Sequence, residues 1–273
     1  MSCDFAFLDS GTGGIPYMLE LKKKCPECTC VYLGDTAHFP YGEKSIDEVC
    51  NSASDAIDMI VKRWNPRTLV IACNTISVTA LDMLRKKFPA LPIVGTVPAI
   101  KLAAAVTKNK CIGLLATNAT VNHPYCKKLI DNFASDCKVF SRGDPELIDF
   151  IEHNLFTATQ EEKLKAVKPA CDFFMKNGCD TVILGCTHFT HLAEEIRTVA
   201  GKNITVVDSR DGVSKQALRV EQKCEADSGS VSDDFNEKNM SFFVTSATQK
   251  EAEEYRLLCE KLSVPWGGII SYL

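Results

Sequence analysis

No apolar run in the chain approaches the roughly 20 residues needed to span a bilayer, so no membrane-spanning helix is expected. A basic excess is missing too: 31 Lys and Arg stand against 35 Asp and Glu, a formal charge of -4. A nucleic-acid scaffold needs a basic face, and this balance argues against one. Nor is an export signal expected. Met1-Ser2-Cys3-Asp4 carries an acid where a signal peptide needs a basic flank, and Phe5–Leu8 is too short for its apolar segment. What is present, 45% hydrophobic and 24% charged residues in 273, is the composition of a globular protein of one large or two ordinary domains. The expected setting is the cytoplasm.

Cysteine is abundant, with fourteen residues. With no export signal expected, the prediction is reduced thiols that pack as small apolar side chains. Cys50, Cys111, Cys126, Cys171 and Cys259 fit that description by their neighbours.

Short apolar runs alternate with helical patterns, which predicts βαβ units and parallel sheets. Strands are expected at Phe5–Leu8, Cys30–Leu33, Thr68–Ala72, Ile93–Gly95, Cys111–Ala116, Lys138–Phe140, Thr181–Gly185, Thr205–Asp208 and Ser241–Thr245. Amphipathic helices are expected over Ser45–Trp64, Ile76–Phe88, Pro98–Val106, Glu161–Asn177, Leu192–Val199, Asp211–Gln222 and Thr248–Leu262. Glu221–Met240 reads as a polar loop, with Asp227–Asp234 as its solvated acidic part. The chain also echoes itself. Leu69-Val-Ile-Ala-Cys73-Asn-Thr75 resembles Val182-Ile-Leu-Gly-Cys186-Thr-His188, and Phe7-Leu-Asp9-Ser10 resembles Leu114-Leu-Ala116-Thr117. The offset is domain-sized, so two similar α/β halves are expected.

Cys73 and Cys186 each fall where a strand gives way to a helix start, the place where ligands collect on open α/β sheets. Helix N-terminal N–H groups favour a thiolate there and can bind a substrate carboxylate. Asn74, Thr75 and Thr187 add donors beside the sulfurs, and His188, two residues past Cys186, faces the same side in extended chain. Two equivalent thiols suit removal of a proton from one face of a carbon and delivery to the other, a racemisation without cofactor or metal. Asp9 is a carboxylate at the top of a strand, followed by the glycine-rich Gly11-Thr-Gly-Gly14. That turn lacks the Lys-Ser/Thr ending of a phosphate loop. The loop Gly34-Asp-Thr-Ala-His-Phe-Pro40-Tyr41-Gly42 offers further pocket-lining groups.

Three other readings compete. Cys25-Pro-Glu-Cys28-Thr-Cys30 is metal-like or redox-like, but no second matching pair is present, and a helix-to-strand connection explains it. A hydrolase would use Cys186 with His188 and leave Cys73 idle. A binding protein would use the pocket without turnover.

Asp9-Ser10-Gly11 with Gly13-Gly14, the Gly34-Asp-Thr-Ala and Pro40-Tyr-Gly42 loop, Cys73-Asn-Thr75 and Gly185-Cys-Thr-His188 together resemble the glutamate racemases over nearly the whole chain. The resemblance implies that Cys73 abstracts the Cα proton of D-glutamate, assisted by Asp9. It gives Cys186 the same task on L-glutamate, assisted by His188. It further implies that Ser10, Pro40, Tyr41, Gly42, Asn74, Thr75, Thr117, Thr120, Glu152 and Thr187 contact substrate. Glu152 is the loosest match, because Asp144-Pro-Glu-Leu147 departs from the usual apolar run, and Pro16 is also atypical. By the same resemblance, residues 1–96 and 209–273 form one domain, 97–208 the other, and the site lies in the cleft between them. It also implies no cofactor, a homodimer, a role in peptidoglycan supply and, with no N-terminal extension, no activation by a peptidoglycan precursor.

Overall fold

A computed structural model describes residues 3–225 and 239–272. Its strands are β1 (Phe5–Asp9), β2 (Cys30–Gly34), β3 (Thr68–Ile71), β4 (Ile93–Gly95), β5 (Cys111–Ala116), β6 (Lys138–Gly143), β7 (Thr181–Leu184), β8 (Thr205–Val207), β9 (Met240–Val244) and β10 (Trp266–Ile269). Its helices are α1 (Ile15–Lys24), α2 (Ile46–Trp64), α3 (Asn74–Lys87), α4 (Ile100–Val106), α5 (Asn118–Asn122), α6 (Pro124–Phe133), α7 (Pro145–His153), α8 (Gln160–Lys176), α9 (Ala193–Ala200), α10 (Arg210–Glu225) and α11 (Gln249–Leu262). The chain divides into two compact units, Met1–Thr96 with Arg210–Leu273, and Val97–Ser209. Among the described residues no helix is long and apolar enough to cross a membrane.

The first unit holds a sheet in the order β10-β9-β2-β1-β3-β4, the second a sheet in the order β6-β5-β7-β8. All the pairings are parallel, as the expected α/β class requires. The order β2-β1-β3-β4 recurs as β6-β5-β7-β8, so the two echoes in the sequence fall on equivalent strands: β1 with β5, and β3 with β7.

Helices cover the sheets because their apolar stripes match the strands' buried residues. Ser45 and Glu48 close a capping box at the start of α2. Val49, Ala53, Ala56, Ile57, Ile60 and Trp64 then recur at helical spacing and pack with Leu8, Leu33, Leu69 and Ile71. In the second unit Ile112, Leu114, Ala116 and Ile183 form the equivalent core with Ile100, Ala103 and Cys126.

Strand order decides where a ligand can sit. From β1 the chain turns to β2 on one side, whereas β3 leads to β4 on the other. The crossovers therefore diverge between β1 and β3, and likewise between β5 and β7, which leaves a crevice at those carboxyl ends.

Several boundaries differ from expectation. Helix α3 starts at Asn74 rather than Ile76, with Cys73 as its N-cap. A 3-10 turn, His188–Leu192, separates Cys186 from α9, so this cysteine does not adjoin an α-helix directly. Strand β10 was not expected. Helix α10 runs to Glu225, into the segment expected as loop, and Asp227–Asp234 lies outside the described residues. Cys25 and Cys28 are joined as a disulfide, where a plain helix-to-strand connection in a chain of mostly reduced thiols was expected. Their sulfurs and the Glu27 carboxylate lie within 4.8 Å of one another, but the sulfur pair is already bonded to itself. Cys126, Cys171 and Cys259 are buried as expected, while Cys50 and Cys111 are only half-buried.

Gly14 permits a close crossing. A Cβ there would stand 2.6 Å from the Ala72 Cβ, 2.8 Å from the Ala72 carbonyl oxygen and 2.9 Å from the Tyr32 hydroxyl. Gly14→Ala should therefore cost about 1–3 kcal/mol, the usual penalty for overpacking. Thermal unfolding should show a midpoint lowered by several degrees, and an unchanged midpoint would refute the close packing.

Candidate active site

In the first unit Asp9 ends β1 with no exposure, and its Oδ1 accepts a hydrogen bond from the Ser10 N–H at 2.7 Å. Tyr32, from β2, pins the glycine turn beside it. The Tyr32 hydroxyl donates to the Gly11 carbonyl at 2.8 Å, accepts from the Gly14 N–H at 2.9 Å, and lies 3.5 Å from Asp9 Oδ2. Sequence reasoning missed Tyr32, whose strand position looks like ordinary core.

Cys73 follows β3. Its backbone is extended (φ -139, ψ 119), its carbonyl accepts from Ser77 N at 3.0 Å, and its side chain does not cap the helix. The sulfur thus sits at the positive end of α3 without being spent on a capping bond. Next to it Asn74 is 2% exposed, and neither Nδ2 nor Oδ1 has a hydrogen-bond partner among the described residues. A buried polar group left in that state costs about 1–3 kcal/mol, so the amide is set up to receive a polar ligand. Thr75 is buried beside it.

Tyr41 is buried too, and its hydroxyl donates to Asp35. Burial, followed by the Asp35 charge and hydrogen bond, pushes the phenol far above its ordinary pKa, with a smaller contribution from Cys73. It stays protonated, a permanent donor. Pro40 and Gly42 flank it, half-buried. Asp9, Ser10, Tyr41, Cys73, Asn74 and Thr75 thus belong to segments leaving the carboxyl ends of β1, β2 and β3.

In the second unit Cys186 follows β7, and its sulfur lies 3.7 Å from His188 Nδ1. His188 Nε2 is 3.0 Å from Glu152 Oε2 of α7. All three residues are buried. Burial alone would lower the imidazole pKa, but hydrogen bonds and charge from Cys186 and Glu152 outweigh it and hold His188 well above its usual value. Glu152 was expected against substrate; here its Oε2 faces the His188 ring. Thr187 is buried, and its carbonyl accepts from the Thr190 hydroxyl at 2.7 Å. Thr117, after β5, caps α5 by accepting from Thr120 N at 3.0 Å, and the two hydroxyls are also 3.0 Å apart. The expected Thr117 and Thr120 therefore form a local cap at the crevice beside β7.

This geometry offers a thiol and a carboxylate at the ends of the neighbouring strands β3 and β1 in one unit, and a thiol–imidazole–carboxylate relay in the other. Such groups can take up and return protons. Residues 19–216 match the sequence pattern of the family described as Asp/Glu/Hydantoin racemase. The chain belongs to that family.

Its relatives in the family are close in length. A glutamate racemase of Treponema pallidum is 39% identical over 79% of this chain and 80% of its own. The crystal structure of Escherichia coli glutamate racemase, in complex with L-glutamate and the activator UDP-MurNAc-ala, is 30% identical. It covers 99% of both chains with a TM-score of 0.85. A glutamate racemase isoform from Bacillus anthracis is 26% identical, with a TM-score of 0.78 over 99% of this chain and 98% of its own. These enzymes are isomerases.

In this member of the racemase family, the raised His188 pKa makes a signed prediction. The stability linked to its proton is present below the free imidazole value of ~6.5 and is lost as pH rises through the raised folded value. Glu152→Gln removes one source of the rise. Histidine NMR titration should find His188 titrating at lower pH in the variant; an unmoved titration would show that the carboxylate does not support the imidazolium.

Proposed function

We propose that the chain is a cofactor-independent glutamate racemase in which Cys73 and Cys186 act as opposed acid and base. In this reading residues 1–96 and 209–273 bring Asp9 and Cys73, residues 97–208 bring Cys186 and His188, and both sets act on one bound glutamate. Starting from D-glutamate, the Cys73 thiolate takes the Cα proton. The C–H bond breaks, an S–H bond forms, and the electron pair spreads from Cα into the α-carboxylate. The Cys186 thiol then gives its proton to the opposite face of Cα and is left as the thiolate. Starting from L-glutamate, the same steps run in reverse.

Asp9 assists Cys73 and His188 assists Cys186, with Glu152 orienting the imidazole. Ser10, Pro40, Tyr41, Gly42, Asn74, Thr75, Thr117, Thr120 and Thr187 hold the carboxylates and ammonium. General acid–base transfer accounts for a ~10²–10⁴-fold acceleration. The larger share falls to fixed dipoles around the carbanion and to exclusion of water, since Cα of an amino acid is a very weak acid.

The observation that carries the reading is the repeated placement of a thiol at the strand pair where crossovers diverge, once in each unit, with His188 beside the second of them. The vacant hydrogen-bonding capacity of buried Asn74 supports a small polar substrate over an apolar one. Identity to glutamate racemases supports glutamate as that substrate. Supply of D-glutamate for peptidoglycan, a cytoplasmic location and a homodimer belong to the same reading by resemblance.

Either enantiomer of glutamate incubated in D₂O should racemise by circular dichroism and acquire deuterium at Cα. Cys73→Ala and Cys186→Ala should each lower racemisation by at least ~10²-fold. A single variant that racemises at the wild-type rate would end the two-thiol mechanism.

A further inference from the structure

Asp35 has no part in the chemistry above, yet it is fully buried and ringed by donors. Its Oδ1 accepts from the Tyr272 hydroxyl at 2.7 Å and the Thr245 hydroxyl at 2.8 Å. Its Oδ2 accepts from the Tyr41 hydroxyl and lies 2.9 Å from His38 Nδ1. Its backbone N–H donates to the Asp9 carbonyl at 2.8 Å. A carboxylate this far from water persists only when its oxygens are satisfied, and here four side chains do so.

The donors come from segments far apart in sequence. His38 and Tyr41 belong to the loop after β2, Thr245 follows β9, and Tyr272 lies just beyond β10. Tyr272 also sets its ring against His38, with centroids 5.2 Å apart. Two backbone-level ties fasten the same loop to the region after β9: Ala37 N donates to the Thr245 hydroxyl at 2.9 Å, and Ser246 N to the Thr36 hydroxyl at 3.0 Å. One of the four donors, Tyr41, is the residue that the functional reading sets against substrate, and the main-chain bond to Asp9 leads to the other wall of the same half-site. The carboxylate is therefore a hub between the chain's last residues and the Pro40-Tyr41-Gly42 loop.

We propose that Asp35 and Tyr272 are positioning residues: the C-terminal tyrosine, acting through the buried carboxylate, holds the Pro40-Tyr41-Gly42 loop in the form that receives the substrate. This rests on the functional reading above. The Tyr272 hydroxyl is suited to the task because its ring is only half-buried, so the loop can be loosened there without opening the core.

The test is Tyr272→Phe in the full chain, which keeps the ring and removes one donor, with Asp35→Asn as its companion. In Tyr272→Phe the KM for both enantiomers should rise ~10-fold, with kcat within about twofold of wild type. Amide exchange measured by mass spectrometry should accelerate across residues 36–44, while the melting temperature stays within a few degrees. Asp35→Asn should show the same KM-against-kcat split more strongly. Should Asp35→Asn fail to fold, Tyr272→Phe decides alone. Unchanged KM in Tyr272→Phe overturns the proposal, whether or not loop exchange changes, and so does a fall in kcat at constant KM. A wild-type protein that does not racemise glutamate overturns the functional reading instead. In that case unchanged loop exchange in Tyr272→Phe overturns the anchoring role as well, and accelerated exchange sustains it.

Discussion

Parallel strands leave their carboxyl ends facing one way, and where successive crossovers turn to opposite sides of the sheet no connection covers those ends. In each unit of this chain one such gap falls beside the middle strands, β1 with β3 and β5 with β7. The reactive groups line up there because the buried strands Phe5-Ala-Phe-Leu and Leu69-Val-Ile, and their counterparts Leu114-Leu and Val182-Ile-Leu, terminate in step. A shift of one residue in either register would turn Asp9, Cys73 or Cys186 to the opposite face.

Such ends carry an electrostatic cost that the fold distributes over many donors. Asp9 takes the Ser10 N–H, Glu152 takes His188, and Asp35 takes four side chains. Groups held this way do not reorganise when a charge develops nearby, which is the condition under which fixed dipoles lower a barrier most. Asn74 stands out against this background, since its buried amide is left without a protein partner among the described residues.

Much of this was legible in the chain. Ile93–Gly95 and Cys111–Ala116 coincide with β4 and β5 because their apolar runs stop at turn residues. Strand β6 continues past Phe140 through Ser141, Arg142 and Gly143, since pairing with β5 supplies the order that hydrophobicity does not signal. Strand β10, Trp266-Gly-Gly-Ile, has two glycines, a register shift and a positive φ at Gly268, none of which reads as a strand. The start of α3 was placed late because its apolar period opens at Ile76, whereas its cap is Cys73. Cys–His proximity was expected from extended backbone; it is present, but Thr187 between the two is helical (φ -59, ψ -37), so the reason differs. The Glu152–His188 bond and the Asp35 cluster were not expected, because their partners are 36 residues apart in one case and 210 and 237 apart in the other. Local patterning carries no record of such pairings.

The first unit is interrupted by the second, and this bears on how the chain acquires its form during synthesis. Strand β2 needs β9 as its neighbour, Arg67 needs Glu221 at 3.0 Å, and Lys24 needs Ser214 at 2.9 Å, each partner lying beyond Ser209. Residues Val97–Ser209, by contrast, are contiguous. As the ribosome releases the chain from its amino end, the inserted unit can close on itself while the earlier-made strands still wait for theirs. The half that carries Asp9 and Cys73 is thus begun first and finished last.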